Sequence, residues 1–418
     1  MTGAIGIDFG TTNSVISVAS ADGAITTARF TAGSAVLDVF RTVLCFWTEQ
    51  PHEGGRLRHA SGPDAIESYL DDPLDSRLIM SMKTYLAQRS FTETRISGRR
   101  FTLERLVSLF LRDLFARAGV DPRGMPVVVG RPVRFAGEFA DDALGEQRLR
   151  ESYAEAGLET VSVALEPEAA GWRFARGLHA PATVLIGDFG GGTSDFSVLR
   201  FEPGRSHALG HAGVGIAGDR FDFRIIDRVI SPALGKGDSY RIMGKELPVP
   251  PEYFSRFARW HQMSLMRNPR TLREIGEVAR ASADPGKLNN LIALIEDELG
   301  YRLYQTVSAT KAALSHGDHA PLVFRHKGLH VDRMIARAEF EEWIAPELAQ
   351  LAATIDRALA AAALPPEAID HVFLTGGTSF VPAVRRLFAE RFGTARVAAG
   401  GEFVSVAEGL ALIGRDRA

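Results

Sequence analysis

Two short segments place an aspartate, glycines and small hydroxyl residues where they could hold phosphate. The first is Ile5-Gly6-Ile7-Asp8-Phe9-Gly10-Thr11-Thr12-Asn13-Ser14-Val15-Ile16-Ser17-Val18. The second is Leu185-Ile186-Gly187-Asp188-Phe189-Gly190-Gly191-Gly192-Thr193-Ser194-Asp195-Phe196-Ser197-Val198. Each reads as an apolar strand, the triplet Asp-Phe-Gly, a polar turn and a second alternating strand, which is a β-hairpin pattern. A turn built of Gly, Ser and Thr lets backbone N–H groups approach a ligand closely, and the hydroxyls add donors suited to phosphate oxygens. Asp8 and Asp188 would stand beside those phosphates. Two carboxylates next to a polyphosphate call for a hard cation, and magnesium, which keeps several waters and touches few protein groups, fits. The plainer alternative makes both aspartates structural turn caps. The recurrence of Asp-Phe-Gly at the same register favours phosphate, and it implies that one unit has been duplicated within the chain.

A third glycine cluster, Leu374-Thr375-Gly376-Gly377-Thr378-Ser379-Phe380-Val381-Pro382, lies at a strand-to-helix junction, where glycine permits close approach of a planar ring or a ribose. Gly213-Val214-Gly215-Ile216-Ala217-Gly218 matches the dinucleotide pattern G-x-G-x-x-G, but no βαβ unit precedes it, so a nicotinamide site is not expected. Gly218 to Phe221 opens a helix whose N-terminus could hold a phosphate. Gly235-Lys236-Gly237 has neither the spacing nor the Ser/Thr of a Walker A loop. His316 and His319 read as solvated turn residues rather than metal ligands. Cys45, the single cysteine, reads as core and excludes an internal disulfide or a thiolate zinc cluster.

The elements that must position these loops are legible in outline. Helical spacing runs from Phe101 to Ala118, from Leu144 to Ala156 before Gly157, from Lys287 to Leu314 as one long helix, from Glu339 to Ala363, from Ala383 to Phe392 and from Val404 to Ile413. Strands are expected at Pro126–Gly130, Val161–Leu165 and Val372–Leu374, so the class is α/β. With 418 residues the chain is long enough for two to four domains. Its net charge of −3 leaves no excess of positive charge for a nucleic-acid backbone. No apolar run suits a membrane-spanning helix, and Met1 to Gly10 lacks the basic and apolar regions of a secretory signal, so a cytoplasmic protein is expected.

Taken together, the motifs resemble the nucleotide-binding domain of DnaK-type (seventy-kilodalton heat-shock) chaperones, within the actin/hexokinase ATPase superfamily. The resemblance is carried by Gly6 to Ser14, Glu166-Pro-Glu-Ala-Ala-Gly171, Asp188 to Asp195, Ala217-Gly-Asp-Arg-Phe-Asp222, Ile335-Ala-Arg-Ala-Glu-Phe-Glu-Glu342 and Thr375 to Pro382, in the family's order across nearly the whole chain. Gly130-Arg131-Pro132 adds a likeness to the short YegD-type chaperone-like proteins. The fold implied is two ribonuclease-H-like lobes around a central nucleotide cleft, residues 1–182 with 398–418 forming lobe I and 183–397 lobe II. ATP or ADP with Mg2+ is the implied ligand. Asp8 and Asp188 would bind magnesium through water, and Asp8, Glu166, Asp188 and Thr193 would serve catalysis, Glu166 by positioning the attacking water and Thr193 by contacting the γ-phosphate. Gly10, Thr11, Thr12 and Asn13 would line the phosphates opposite Gly190, Gly191 and Gly192. Gly218, Lys311, Ser315, Gly376, Gly377, Thr378 and Phe380 would line the nucleoside. Pro132 matches the proline that couples nucleotide state to lobe movement.

Three departures from the family pattern stand out. Its two adenine-sandwiching arginines fall at Ala312 and Phe380. Its phosphate-contacting lysine falls at about Ile66, while Lys83 matches a different lysine, so hydrolysis is expected to be very slow. The hydrophobic linker and peptide-binding domain are expected to be missing. The reading is a magnesium-ATP-binding, chaperone-like ATPase acting as a monomer with a protein client or co-chaperone. Its alternatives are a nucleotide-binding regulator with negligible hydrolysis, an actin-like filament former and a sugar-kinase-like transferase.

Overall fold

The structure, a computed structural model, describes residues 3–32, 35–49, 55–137, 139–158, 160–176, 180–202, 205–257, 266–399 and 404–417. The chain forms two compact units, one of Met1–Ala217 with Gln350–Ala418 and one of Gly218–Ala349.

The first unit is built on two sheets that repeat one plan. In the first sheet, β1 (Ala4–Phe9) and β2 (Asn13–Ala19) form a hairpin, β3 (Ile25–Thr27) extends it on the outer side of β2, and β4 (Val127–Arg131) and β5 (Ser162–Leu165) add in parallel beyond β1. In the second, β6 (Ala182–Phe189) and β7 (Ser194–Glu202) form the hairpin, β8 (Arg205–Val214) extends it, and β9 (His371–Thr375) and β10 (Val397–Ala399) add in parallel beyond β6. The registers also repeat. Asp8 lies opposite Val15 and Phe9 opposite Ser14, just as Asp188 lies opposite Asp195 and Phe189 opposite Ser194. The duplication read from Asp-Phe-Gly therefore extends to five strands in the same order and sense.

The helices fix these sheets. A four-residue helix, α1 (Met82–Tyr85), buries Met82 and Lys83. Helix α2 (Leu103–Ala118) starts at Thr102, whose hydroxyl accepts the Arg105 N–H, and stops at Gly119 with φ +63°, so both of its ends carry a cap. Its apolar stripe, Leu106, Val107, Phe110, Leu111 and Leu114, joins Ile5, Ile7, Phe9 and Val129 in the core over the first sheet. The crossover helix α3 (Asp142–Glu155) follows β4 and adds Leu149 and Tyr153 to that core.

Two further helices are exchanged between the repeats. Helix α4 (Glu166–Ala175) follows the first sheet's last strand but packs on β6 and β7 of the second. The corresponding α11 (Ser405–Arg417) follows the second sheet's last strand but packs on β1, β2 and β4 of the first. They meet at Gly409, where a Cβ would fall 1.7 Å from the Ala169 carbonyl oxygen. Because that neighbour is backbone, it cannot swing aside. Gly409→Ala is therefore expected to cost about 3 kcal/mol of stability, at the upper end of overpacking substitutions, read as a fall in the urea midpoint.

In the second unit, α5 (Gly218–Ile225) opens at Gly218, as the sequence indicates. The single helix expected over Lys287 to Leu314 is instead two, α6 (Pro285–Glu296) and α7 (Gly300–His316). Glu298 takes a left-handed φ of +54°, and the Leu299 N–H turns back to the Leu294 carbonyl. The acidic run Glu296-Asp297-Glu298 also opposes the negative end of the α6 dipole. The helix expected over Glu339 to Ala363 likewise divides, into α8 (Arg337–Trp343) and α9 (Ala345–Ala361). Pro346 lacks the N–H that would continue the ladder, and the chain re-starts just before it. Back in the first unit, helix α10 (Pro382–Phe392) follows β9 as expected.

Candidate functional site

Both hairpins end at an aspartate, and the first unit brings the two together. Asp8 and Asp188 stay partly open to solvent, yet protein surrounds them deeply enough to disfavour ionisation. Asp195, Glu166 and Lys83 are buried, with 1%, 5% and 8% of their surface exposed. Glu166 is the first residue of α4, directly before Pro167, a position where the helix dipole favours a carboxylate. Gly130 on β4 leaves the room: a Cβ there would come within 2.9 Å of the Glu166 Cγ. Lys83 reaches the same point from α1, its Nζ donating to Glu166 Oε1 at 2.5 Å.

Four carboxylates thus surround one ammonium, and their electrostatics record the crowding. Burial first, then the charge of Glu166, pushes the Asp8 carboxyl up to about 7, with Lys83 opposing. Asp195 is likewise pushed up to about 7 by burial and Glu166, although the Arg134 N–H and the Thr193 hydroxyl donate to it. Asp188 is raised by burial, Glu166, Asp8 and Asp195 together. For Lys83, burial is the largest single influence and acts to lower it, but Glu166, Asp8 and Asp188 outweigh burial and hold the ammonium raised. An excess of carboxylate over ammonium invites a second cation. Among the described residues no group of three or more His, Cys, Asp or Glu is arranged to cage an ion directly. A hard, water-shelled cation facing Asp8 and Asp188 needs no such cage, so the donor set fits magnesium held through water.

A pH dependence follows. An unfolded aspartate titrates near 3.8, whereas Asp195 in the folded chain keeps its proton to about 7. Over that interval the native state binds more protons, so the contribution of this group is full below about 4 and is lost as pH rises through 7. Asp195→Asn keeps the accepting oxygen but removes the charge. In magnesium-free buffer its stability advantage over wild type is expected to grow between pH 5 and 8, checked by urea unfolding at each pH.

Of the other residues expected from the sequence to bind a ligand, some belong to the first unit and some to the second. In the first, Asn13 is held by Arg41, whose Nη1 donates to its Oδ1 at 3.0 Å, and the Thr42 N–H donates to the Thr12 carbonyl. Across the second turn the Gly190 N–H donates to the Thr193 carbonyl. Gly376 has φ +87°, and a Cβ there would lie 2.0 Å from the Phe189 carbonyl oxygen, so only glycine lets β9 turn against the second hairpin. Gly377, Thr378 and Phe380 follow in a short 3-10 turn. The Arg385 guanidinium lies 5.6 Å from the centre of the Phe380 ring, which puts an arginine beside the position where the family arginine is missing. In the second unit, Lys311 Nζ bonds the Gly218 carbonyl at 3.1 Å and Asp222 at 2.9 Å, and Ser315 lies one turn further along α7.

Lys83 and Asp195 are the members that sequence reasoning leaves out of the site. Asp195 belongs to the second motif, and its register opposite Asp188 is the signal that could have found it. Ile66, matched to the phosphate-contacting lysine, lies on the helix Gly62–Asp71, and the cation of the cluster is Lys83. The inference of very slow hydrolysis from a missing lysine loses that support.

Comparison with known proteins agrees with this architecture. The family described as Hsp70 protein matches residues 88–237 and 287–415. The chain is 28% identical over 395 residues to the chaperone protein DnaK of Thermotoga maritima, covering 93% of this chain and 55% of that one. It is 26% identical over 301 residues to DnaK of Thermus thermophilus, covering 71% and 41%, and 24% identical over 406 residues to DnaK of Deinococcus deserti, covering 94% and 56%. The chain belongs to the Hsp70 family and has the α/β fold of the actin-like ATPases. It spans about half the length of the curated relatives it matches. Among the described residues no helix is long and apolar enough to cross a membrane.

Proposed function

We propose that this chain is a magnesium-ATP-binding, chaperone-like ATPase that hydrolyses slowly, with hydrolysis coupled to closure of two lobes. The observation that carries the reading is the gathering of Asp8, Glu166, Asp188 and Asp195 about Lys83, at the ends of two hairpins built alike. Phosphoryl transfer asks little covalent chemistry of a protein. It asks for a positioned nucleophile and positive charge at the transferring group. Magnesium, when bound, would supply Lewis-acid charge at the phosphates, with Asp8 and Asp188 orienting its waters. Thr11, Thr12, Asn13 and the glycines at 190–192 offer phosphate donors, and Thr193 the γ-phosphate contact. Glu166 would orient the attacking water. Lys83 is the second source of positive charge, but it is tied to Glu166. It must be shared with an incoming phosphate before it can assist, which gives slow turnover a cause other than a missing lysine.

Gly376, Gly377, Thr378 and Phe380, with Gly218, Lys311 and Ser315, would hold the nucleoside. A protein client or co-chaperone, a monomeric state and a cytoplasmic setting complete the reading. The test is a single turnover of ATP labelled at the γ-phosphate on the purified chain. Magnesium-dependent release above the buffer rate is expected; release no faster than in buffer, with nucleotide bound, contradicts hydrolysis.

A further inference from the structure

We propose that Arg148 is a positioning residue for this hydrolysis, fixing the backbone that aims the Lys83 ammonium at Glu166. The inference rests on the ATPase reading above. Arg148 lies on the buried face of α3 with Leu149 and Ser152, and only 8% of its surface is exposed. An apolar side chain is the ordinary occupant of such a place. The guanidinium is instead turned onto the segment that carries Lys83. Its Nη2 donates to the Phe91 carbonyl at 2.9 Å and its Nη1 to the Gln88 carbonyl at 3.1 Å. The same Nη1 lies 3.3 Å from the Leu86 carbonyl and 3.4 Å from that of Tyr85. Nε faces Glu104 at 3.2 Å, so the buried charge is paired.

That segment cannot hold its own shape. Helix α1 has four residues, too few to offset the cost of nucleating a helix. Ser81, immediately before it, takes a left-handed φ of +55°, which a non-glycine residue keeps only where its surroundings impose it. Helix α3 supplies those surroundings at two points. At its start the Asp141 N–H donates to the Ala87 carbonyl at 3.0 Å, and the Asp141 carboxylate pairs with Arg89 at 2.7 Å. About two turns further along stands Arg148. The link to the ammonium is short. The Leu86 carbonyl accepts from Arg148, while the Leu86 N–H donates to the Lys83 carbonyl at 3.3 Å. Lys83 then reaches Glu166 on a flexible four-carbon stem, so a loosened backbone would let the ammonium wander from the reacting phosphate.

A double-mutant cycle on the full chain, read by single-turnover hydrolysis, tests this. Arg148→Lys keeps a cation opposite Glu104, but a compact ammonium cannot span carbonyls from Tyr85 to Phe91. The variant should bind ATP with an unchanged Kd and hydrolyse it about tenfold more slowly, since a misplaced group lowers rates by up to ~10². In a Lys83→Met background the same substitution should slow hydrolysis no further, while its drop in melting temperature persists in both backgrounds. Structural support alone would lower the melting temperature without this dependence of rate on Lys83. If the lysine variant does not fold, Arg148→Gln combined with Glu104→Gln removes both charges together, strands neither, and should give the same pattern. A rate within about twofold of an active wild type overturns the inference, as does an equal slowing with and without Lys83; both leave the ATPase reading standing. If the wild-type chain itself releases no phosphate, the ATPase reading fails and the positioning role falls with it.

Discussion

Lys83→Met is expected to slow single-turnover ATP hydrolysis by ~10²–10³, the usual loss when one preorganised donor is removed from a reacting oxyanion. Methionine preserves the buried stem between Met82 and Thr84 but removes the ammonium that Glu166, Asp8 and Asp188 share. The same change leaves Glu166 buried without its partner, and breaking a buried ion pair costs about 3–5 kcal/mol. The variant should therefore be both slower and less stable, whereas Lys83→Arg, which keeps the charge, should retain more of both. Phosphate release and urea unfolding on the three proteins check this. An unchanged rate in Lys83→Met would remove Lys83 from the chemistry.

Asp8→Asn carries the second large effect, with an unusual combination of signs. Without ligand, the variant relieves the crowding that pushes Asp8 up to about 7, so above that pH it should be more stable than wild type. With ligand the order reverses. Nucleotide at a hundred times its Kd adds about 2.7 kcal/mol to native stability. If Asp8 orients the waters of magnesium, most of the magnesium-dependent part of that gain should vanish in Asp8→Asn, while the shift with ATP in chelator stays. Melting curves at pH 8, with and without magnesium, separate this from a turn-capping role, in which the unliganded variant would be less stable.

The parts of this protein legible in its sequence are those with local signatures. Asp-Phe-Gly at the entry to each hairpin turn announces the duplication, and the five-strand order extends it. Helix α2 is legible because its apolar stripe, Thr102 cap and Gly119 stop agree. The breaks at Glu298 and Ile344 are harder, because the apolar stripe runs through both while the backbone does not. Pro346 is the missed cue for the second, the acidic run at 296–298 for the first. The cluster's cation is hidden for another reason. Lys83 lies on a four-residue helix with no periodicity to place it, and only tertiary packing brings it to Glu166. Asp195 is visible as a residue, but its burial is a property of the paired strands.

The central claim is that the carboxylates grouped about Lys83 form a magnesium-nucleotide site, and thermal melting of the wild-type chain tests it most directly. The chain should be followed with ATP, ADP, GTP or buffer, each with magnesium and with chelator. The account predicts a rise in melting temperature with ATP or ADP that is larger with magnesium than in chelator. A melting temperature unmoved by saturating magnesium-ATP would contradict it.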